Sequence, residues 1–154
     1  MDRQETSGVI APPPLIYLAG LVTGLLLSAA APIPFLPRGL AHALGAILIV
    51  TAVGVASWGI REMRRAGTSV DPRDPTTALV TNGPFGFSRN PLYVSLTLCY
   101  LGIALAARSL WAIALLVVVL AVMQRGVIDR EERYLERKFG ADYTRYKERV
   151  RRWI

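Results

Sequence analysis

Residues 91–128 read PLYVSLTLCYLGIALAARSLWAIALLVVVLAVMQRGVI, and this stretch decides the fold class. Its only formal charges are Arg108 and Arg125. A helix needs about 20 apolar residues to cross the ~30 Å hydrocarbon core of a bilayer. The stretch holds two such segments, about 91–107 and 110–128, joined by Arg108-Ser109. So short a connection predicts an antiparallel helical hairpin. Pro91 suits a first helical turn, where its missing N–H costs nothing.

Two further apolar segments precede the hairpin. One covers about 15–31 and is followed by Pro32, Pro34 and Pro37. The other covers about 39–60, has no formal charge, and has His42 as its one near-neutral titratable group. The expected fold is therefore all-α and integral to a membrane, with four transmembrane helices in a single domain, 1–154. Gly20 and Gly24 form a GxxxG pair suited to close helix approach. Ala29-Ala30-Ala31 resembles a signal-peptide cleavage site. However, Asp2 and Glu5 accompany Arg3, and Pro32 follows directly, so the first segment is expected to stay as a membrane helix.

The remaining composition fits this partition. The chain has 154 residues, 53% of them hydrophobic and 19% charged, with a net charge of +7. That is too hydrophobic for a disordered chain. Sixteen of the 18 Lys and Arg residues fall on the side shared by the N-terminus, the 61–90 segment and the C-terminal segment. The other side has only Arg38 and Arg108. By the positive-inside rule, both termini and the long loop are cytoplasmic. The expected location is a multi-pass position in a plasma membrane of prokaryotic type. The basic residues flank apolar runs and form no groove-reading motif, which argues against a nucleic-acid partner. One Cys and one His at unrelated positions build no zinc site, so no metal is expected. Cys99 is expected to be a buried, inert thiol.

Two polar segments remain for chemistry. In 61–90, Asp71-Pro72-Arg73-Asp74-Pro75 and Gly83-Pro84 predict turns. After Ile128 the chain becomes charged but stays helical up to Gly140. An amphipathic helix then places Tyr143, Tyr146 and Val150 on one face. Residues 81–93 combine glycines, aromatics and charge directly ahead of a membrane helix. The helix start at Asn90–Tyr93 offers N–H groups to an anion, and Arg89 adds a bidentate donor. Glu131 and Glu132 lie at comparable depth and point about 100° apart, so one can face the loop and the other water. Together these residues can hold a zwitterionic cofactor, with Phe85, Phe87 or Tyr93 covering an adenine or a sulfonium. They also fit a plainer arrangement, in which Arg89 snorkels to headgroups and the two glutamates are solvated partners of Arg125 or Lys138.

Gly83-Pro84-Phe85-Gly86-Phe87-Ser88-Arg89-Asn90-Pro91-Leu92-Tyr93 resembles the GPYxxxRHPxY signature of the isoprenylcysteine carboxyl methyltransferase family. Glu131-Glu132-x-x-Leu135, followed by Phe139-Gly140-x-x-Tyr143-x-x-Tyr146-x-x-x-Val150, resembles the tail motif of the same family. The two motifs come in the family's order, separated by an apolar hairpin, and cover about 81–154. The resemblance implies an integral-membrane methyltransferase using S-adenosyl-L-methionine. Its cofactor pocket would lie between segments 81–93 and 129–154. Cofactor-binding positions carried over are Gly83, Pro84, Phe85, Arg89, Asn90, Pro91, Tyr93, Glu131, Glu132, Tyr143 and Tyr146. Arg89 and Glu132 are the expected catalytic pair, and Arg152 fits the family's basic position near the end.

Asn90 stands where the family has His, and Ser95 where it usually has Gly. An Asn keeps a hydrogen bond but cannot act as an acid or base. An Asn-Pro-x-Tyr motif with a downstream Glu-Glu also resembles phospholipid N-methyltransferases. The leading expectation is a lipophilic acceptor such as an isoprenylcysteine-like carboxylate or thiol; the alternatives are a phospholipid amine or a non-catalytic scaffold. A carboxylate acceptor needs no base and would be anchored by Arg89 and Arg152. An amine must lose a proton, which a Glu can take. Leu92, Leu96 and Leu98 either line the acceptor's route or simply pack against their neighbours. Membrane lipids are the other expected partners, met by the Arg149–Arg152 tail and by Trp58, Trp111 and Trp153 as interface anchors. His42 is expected to be packed or interfacial. The oligomeric state is open.

Overall fold

A computed structural model describes residues 7–154. Six α-helices follow in order: α1 Pro13–Ala30, α2 Arg38–Arg65, α3 Pro91–Ala106, α4 Leu110–Met123, α5 Asp129–Phe139 and α6 Ala141–Arg149. A 3-10 turn covers Gly83–Gly86, and a π-turn over Gln124–Ile128 links α4 to α5. No strand occurs among the described residues. α1, α2 and the continuous run Leu110–Phe139 are each long and apolar enough to cross a bilayer. α3 is shorter, at 16 residues, or about 24 Å at 1.5 Å per residue.

The expected segments and the observed helices agree in place but differ at their ends. α1 starts two residues earlier than expected, because Pro13 and Pro14 are tolerated in a first turn. α2 runs five residues past the expected 60, where Arg61, Arg64 and Arg65 still favour helix.

The bundle is built from two close pairs, α1 against α4 and α2 against α3, with α3 also touching α1 and α4. Small residues set both contacts. A Cβ on Gly24 would lie 2.4 Å from Ala112 Cα, and one on Gly20 would lie 2.3 Å from a Val119 methyl. The GxxxG pair therefore faces α4. Gly45 and Gly102 bring α2 and α3 equally close; a Cβ on Gly45 would lie 2.6 Å from the Gly102 carbonyl oxygen. Close approach replaces the hydrophobic effect, which gives no drive between helices in lipid.

Tyr17, Leu21, Tyr100, Ala104, Ala112, Leu116 and Met123 form the core. The outward faces are apolar as well: Val50 is 71% exposed and Val117 70%. Exposed apolar surface on this scale marks a surface made to meet lipid. Polar groups on the outward faces and inside the bundle alike are satisfied locally. The Thr23 and Thr51 hydroxyls donate to the carbonyls four residues back, both at 2.8 Å, and Tyr100 donates to the Ala112 carbonyl at 2.8 Å. Cys99 is half-buried rather than fully buried.

The α3–α4 turn is tight, as expected. Ser109 caps α4 by accepting from the Ala112 N–H at 3.0 Å. Arg108 has φ +54°, a left-handed conformation that costs a non-glycine residue about 1–2 kcal/mol. At the other end of the bundle, Gly126 in the π-turn lets Ile10 lie against the backbone; a Cβ there would be 2.3 Å from Ile10 Cδ1. Tyr134 on α5 accepts from the Thr76 N–H at 3.1 Å, tying the α2–α3 connector to α5.

Candidate active site

The 81–93 loop and the C-terminal segment pack directly on one another. The Arg89 N–H donates to the Arg151 carbonyl at 2.9 Å. Asn90 Nδ2 donates to the Arg152 carbonyl at 3.0 Å. Ser88 Oγ accepts from the Asn90 N–H at 3.1 Å. Tyr146 donates to the Phe85 carbonyl at 2.6 Å. Asn90 thus uses its amide to seat the tail, a role that needs no titratable group.

Beneath these contacts lies a charged cluster. The Arg89 and Glu132 side chains are 10% and 8% exposed, with Nη1 3.1 Å from Oε1. Arg152 grips the same carboxylate with two donors, Nε to Oε1 at 2.9 Å and Nη2 to Oε2. Its Nη1 lies 3.1 Å from Asp129 Oδ1. Asp129 also accepts from Gln124 at 3.0 Å, and Gln124 accepts from Trp153 at 3.3 Å. Two guanidinium groups and two carboxylates therefore share one site. The pairing holds Arg152 well protonated, chiefly through its hydrogen bonds to Glu132.

Arg89 is incompletely used. Its Nε and Nη1 are buried with no hydrogen-bond partner; the 3.1 Å approach of Nη1 to Glu132 is charge contact without the alignment of a hydrogen bond. A buried donor left unpaired costs about 1–3 kcal/mol, so this guanidinium is suited to an additional anionic acceptor. Tyr143 and Tyr146 sit nearby. Burial pushes both phenols well up, and Glu132 adds to this at Tyr143 while Arg89 opposes it at both. Both therefore stay neutral at ordinary working pH.

A second polar point lies across α3. Tyr93 donates to Glu131 Oε2 at 2.7 Å. Burial pushes the Glu131 carboxyl up, the Tyr93 hydrogen bond opposes this, and the charge on Glu132 adds to it. Behind Tyr93, Thr97 donates to the Tyr93 carbonyl at 2.8 Å, and Tyr17 shares a 2.8 Å hydrogen bond with Thr97. Tyr93 also lines an apolar cavity of about 450 Å³. Its walls are Pro12–Pro14, Ala56 and Ile60 of α2, Val70–Arg73 of the connector, and Leu92, Ser95 and Leu96 of α3. Leu98 is not among them. Arg73 at the rim is already held by Asp71, with Nε 2.9 Å from Oδ1.

Several expectations change. Neither glutamate is left to water: Glu131 meets Tyr93 and Glu132 meets both arginines. Arg125 and Lys138 are not their partners. Arg89 is buried and does not snorkel. The helix start at Asn90 has little to offer an anion, because the Tyr93 and Val94 amides both donate to the Asn90 carbonyl at 3.0 Å. Trp153 packs against the core and donates to Gln124. Around Gly83 and Pro84 the packing is close: a Cβ on Gly83 would lie 2.8 Å from Trp58 Nε1, and Pro84 is buried. Phe87 is 72% exposed and tilts toward Trp58. Asp129, Gln124 and Asp71 were not anticipated. The signal for Asp129 was present, since Asp129 and Glu132 are spaced to share a helix face.

This arrangement defines a membrane-embedded helical bundle with a charged site at one end. The family described as phospholipid methyltransferase matches residues 40–142. The chain belongs to this family of integral-membrane methyltransferases, which is related to the isoprenylcysteine carboxyl methyltransferases. An uncharacterised protein of Haemophilus influenzae is 41% identical over 63 residues, which is 41% of this chain and all of that relative. The cobalt-zinc-cadmium resistance protein CzcN of Cupriavidus metallidurans is 41% identical over 69 residues, 44% of this chain but only 32% of that protein. No solved structure matches the chain.

Proposed function

We propose that the protein transfers a methyl group from S-adenosyl-L-methionine to a lipophilic acceptor at the cytoplasmic membrane face. The fold would carry four spans and place both termini in the cytoplasm. The observation that carries the cofactor assignment is the pair of buried Arg89 donors without a hydrogen-bond partner beside Glu132. The donor set fits the cofactor's amino-acid end: Arg89 for the carboxylate and a glutamate for the ammonium. The bound cofactor supplies a methyl group already activated on sulfur. The protein's task is then to align the acceptor and handle its proton. Glu132 is held by Arg152, so binding by Glu132 requires this clasp to loosen. Tyr143 and Tyr146 close the same side.

The apolar cavity would hold the acceptor's chain along Leu92 and Leu96. A carboxylate acceptor would need a cation there. Arg73 is committed to Asp71, and neither Arg89 nor Arg152 lines the cavity. An amine acceptor fits better: burial makes Glu131 a stronger base than an ordinary carboxylate, and it reaches the cavity wall through its hydrogen bond with Tyr93, so it can take the proton. The family match supports the same choice. The isoprenylcysteine-like carboxylate or thiol rests on the signature likeness in 83–93.

Two measurements test this. Folded protein in detergent should bind S-adenosylmethionine, and Arg89→Gln should abolish binding; a folded preparation that binds none points to a non-catalytic scaffold. With methyl-labelled cofactor and a lipid extract, label should enter headgroup amines. Label in base-labile esters would instead select the carboxylate acceptor.

A further inference from the structure

At the end of the bundle opposite the Arg89–Glu132 cluster, a second cavity of about 610 Å³ opens between the ends of α1, α2 and α3. Ser28, Pro34, Arg38, His42, Ala107 and Arg108 are among its lining residues. Its charge is unbalanced. None of the chain's 11 Asp and Glu residues lies between Thr6 and Arg61 or between Pro75 and Ile128. Arg38 and Arg108 therefore have no acidic neighbour in the segments that build this end. The N-terminus of α2, a 28-residue helix beginning at Arg38, adds its own positive end to the same mouth.

Arg108 supplies an independent observation. It holds the left-handed position of the α3–α4 turn, φ +54°, where glycine or asparagine would sit with less strain. Its Nε donates to the Leu36 carbonyl at 2.9 Å. That bond fixes the guanidinium plane at the cavity and leaves the two Nη groups for another acceptor. The exposed apolar residues Ile33, Leu40 and Trp111 ring this end, and Trp111 donates to the Ala31 carbonyl at 2.9 Å. A tryptophan held this way at the edge of an apolar belt marks headgroup level.

We propose that this cavity binds the phosphate of an anionic lipid headgroup in the leaflet opposite the active site, with Arg38 and Arg108 as its ligands. The chain itself has no anion to offer there, and the apolar rim leads directly from the bilayer into the cavity.

The test uses the full chain in neutral detergent, with lipid retention followed by native mass spectrometry. Phosphatidylglycerol, phosphatidylcholine and inorganic phosphate are the probes. The wild-type protein should retain phosphatidylglycerol over phosphatidylcholine. In Arg38→Gln/Arg108→Asn the affinity of one phosphatidylglycerol site should fall about tenfold or more, as expected for lost charge-assisted hydrogen bonds. Asparagine suits the left-handed turn, so Arg108→Asn alone should keep its thermal stability without lipid and still show weakened retention. The control Arg149→Gln/Arg151→Gln, at the other face, should keep this site. Undiminished retention in Arg38→Gln/Arg108→Asn would overturn the proposal. Displacement of phosphatidylglycerol by millimolar inorganic phosphate would overturn the lipid as its occupant.

Discussion

The α1–α4 interface and the seat of the C-terminal tail hold the molecule together by opposite means. The first relies on backbones brought close at Gly20 and Gly24, with uncharged hydrogen bonds of Ser28, Ser109 and Trp111 at one end. The second is a network of two arginines, two carboxylates and backbone carbonyls around residues 88–90 and 150–153. Tight packing has one arrangement and tolerates no added volume. A charged network can exchange partners, which suits the proposed entry of a cofactor. Rigidity and exchange thus occupy separate places in one small chain.

The interface should break most completely. Gly24→Leu places its Cβ within 2.7 Å of three Ala112 atoms, and overpacking of this kind costs about 1–3 kcal/mol or more. Thermal unfolding in detergent should show a large drop or no folded protein, and an unchanged melting temperature would remove the close-packing account.

The tail network should lose function before fold. Glu132→Gln leaves two buried or half-buried arginines without their shared carboxylate, a loss of about 3–5 kcal/mol for a fully buried pair. Arg152 is about a third exposed, so the cost should fall short of that. Cofactor titration should show weaker binding by roughly a hundredfold if this carboxylate contacts the ammonium, since that equals about 2.7 kcal/mol.

A smaller effect is expected at the Tyr93–Glu131 pair. Tyr93→Phe removes one hydroxyl and should lower kcat about tenfold, less than the roughly hundredfold or more lost with a general base itself, because Glu131 remains, while cofactor affinity changes little. Because the Glu131 carboxyl is pushed up, its ionised form disappears earlier as pH falls. Turnover of an amine acceptor should therefore decline on the acid side of that raised value and recover above it. In Glu131→Gln this acid limb should vanish along with most of the activity. A pH profile identical to wild type would place the base elsewhere.

Asn90→His should have the least effect. Histidine can still donate to the Arg152 carbonyl, so stability should change by less than about 1 kcal/mol. The informative readout is whether a new titration near neutral pH enters the rate profile.

Much of the fold was legible because run length and charge suffice to locate apolar helices. Gly140, with φ +51°, ended α5 where expected, and Arg108-Ser109 formed the tight turn. The Gly20–Gly24 pair was visible as a possible contact, but its partner, α4, was not. The Gly45–Gly102 approach had only the common signal of small residues four apart, Ala41–Gly45 and Gly102–Ala106, which does not say which helices pair. In the site, the family motifs singled out Arg89, Glu131, Glu132 and Arg152 without saying which meets which. The spacing of adjacent glutamates argued that one would face water. The π-turn and the tail instead surround α5, so both glutamates find partners.

The sequence by itself determined an all-helical chain dominated by apolar segments, with nearly all its basic charge toward one side. Those properties follow from composition along a line, which lipid and water sort by transfer energy. Tertiary structure decided that Arg152 grips Glu132, that Arg89 keeps two unpaired donors, and that the apolar cavity opens beside Tyr93 and away from the tail. These depend on the rotation and crossing of helices, and the order of residues along the chain does not encode either directly.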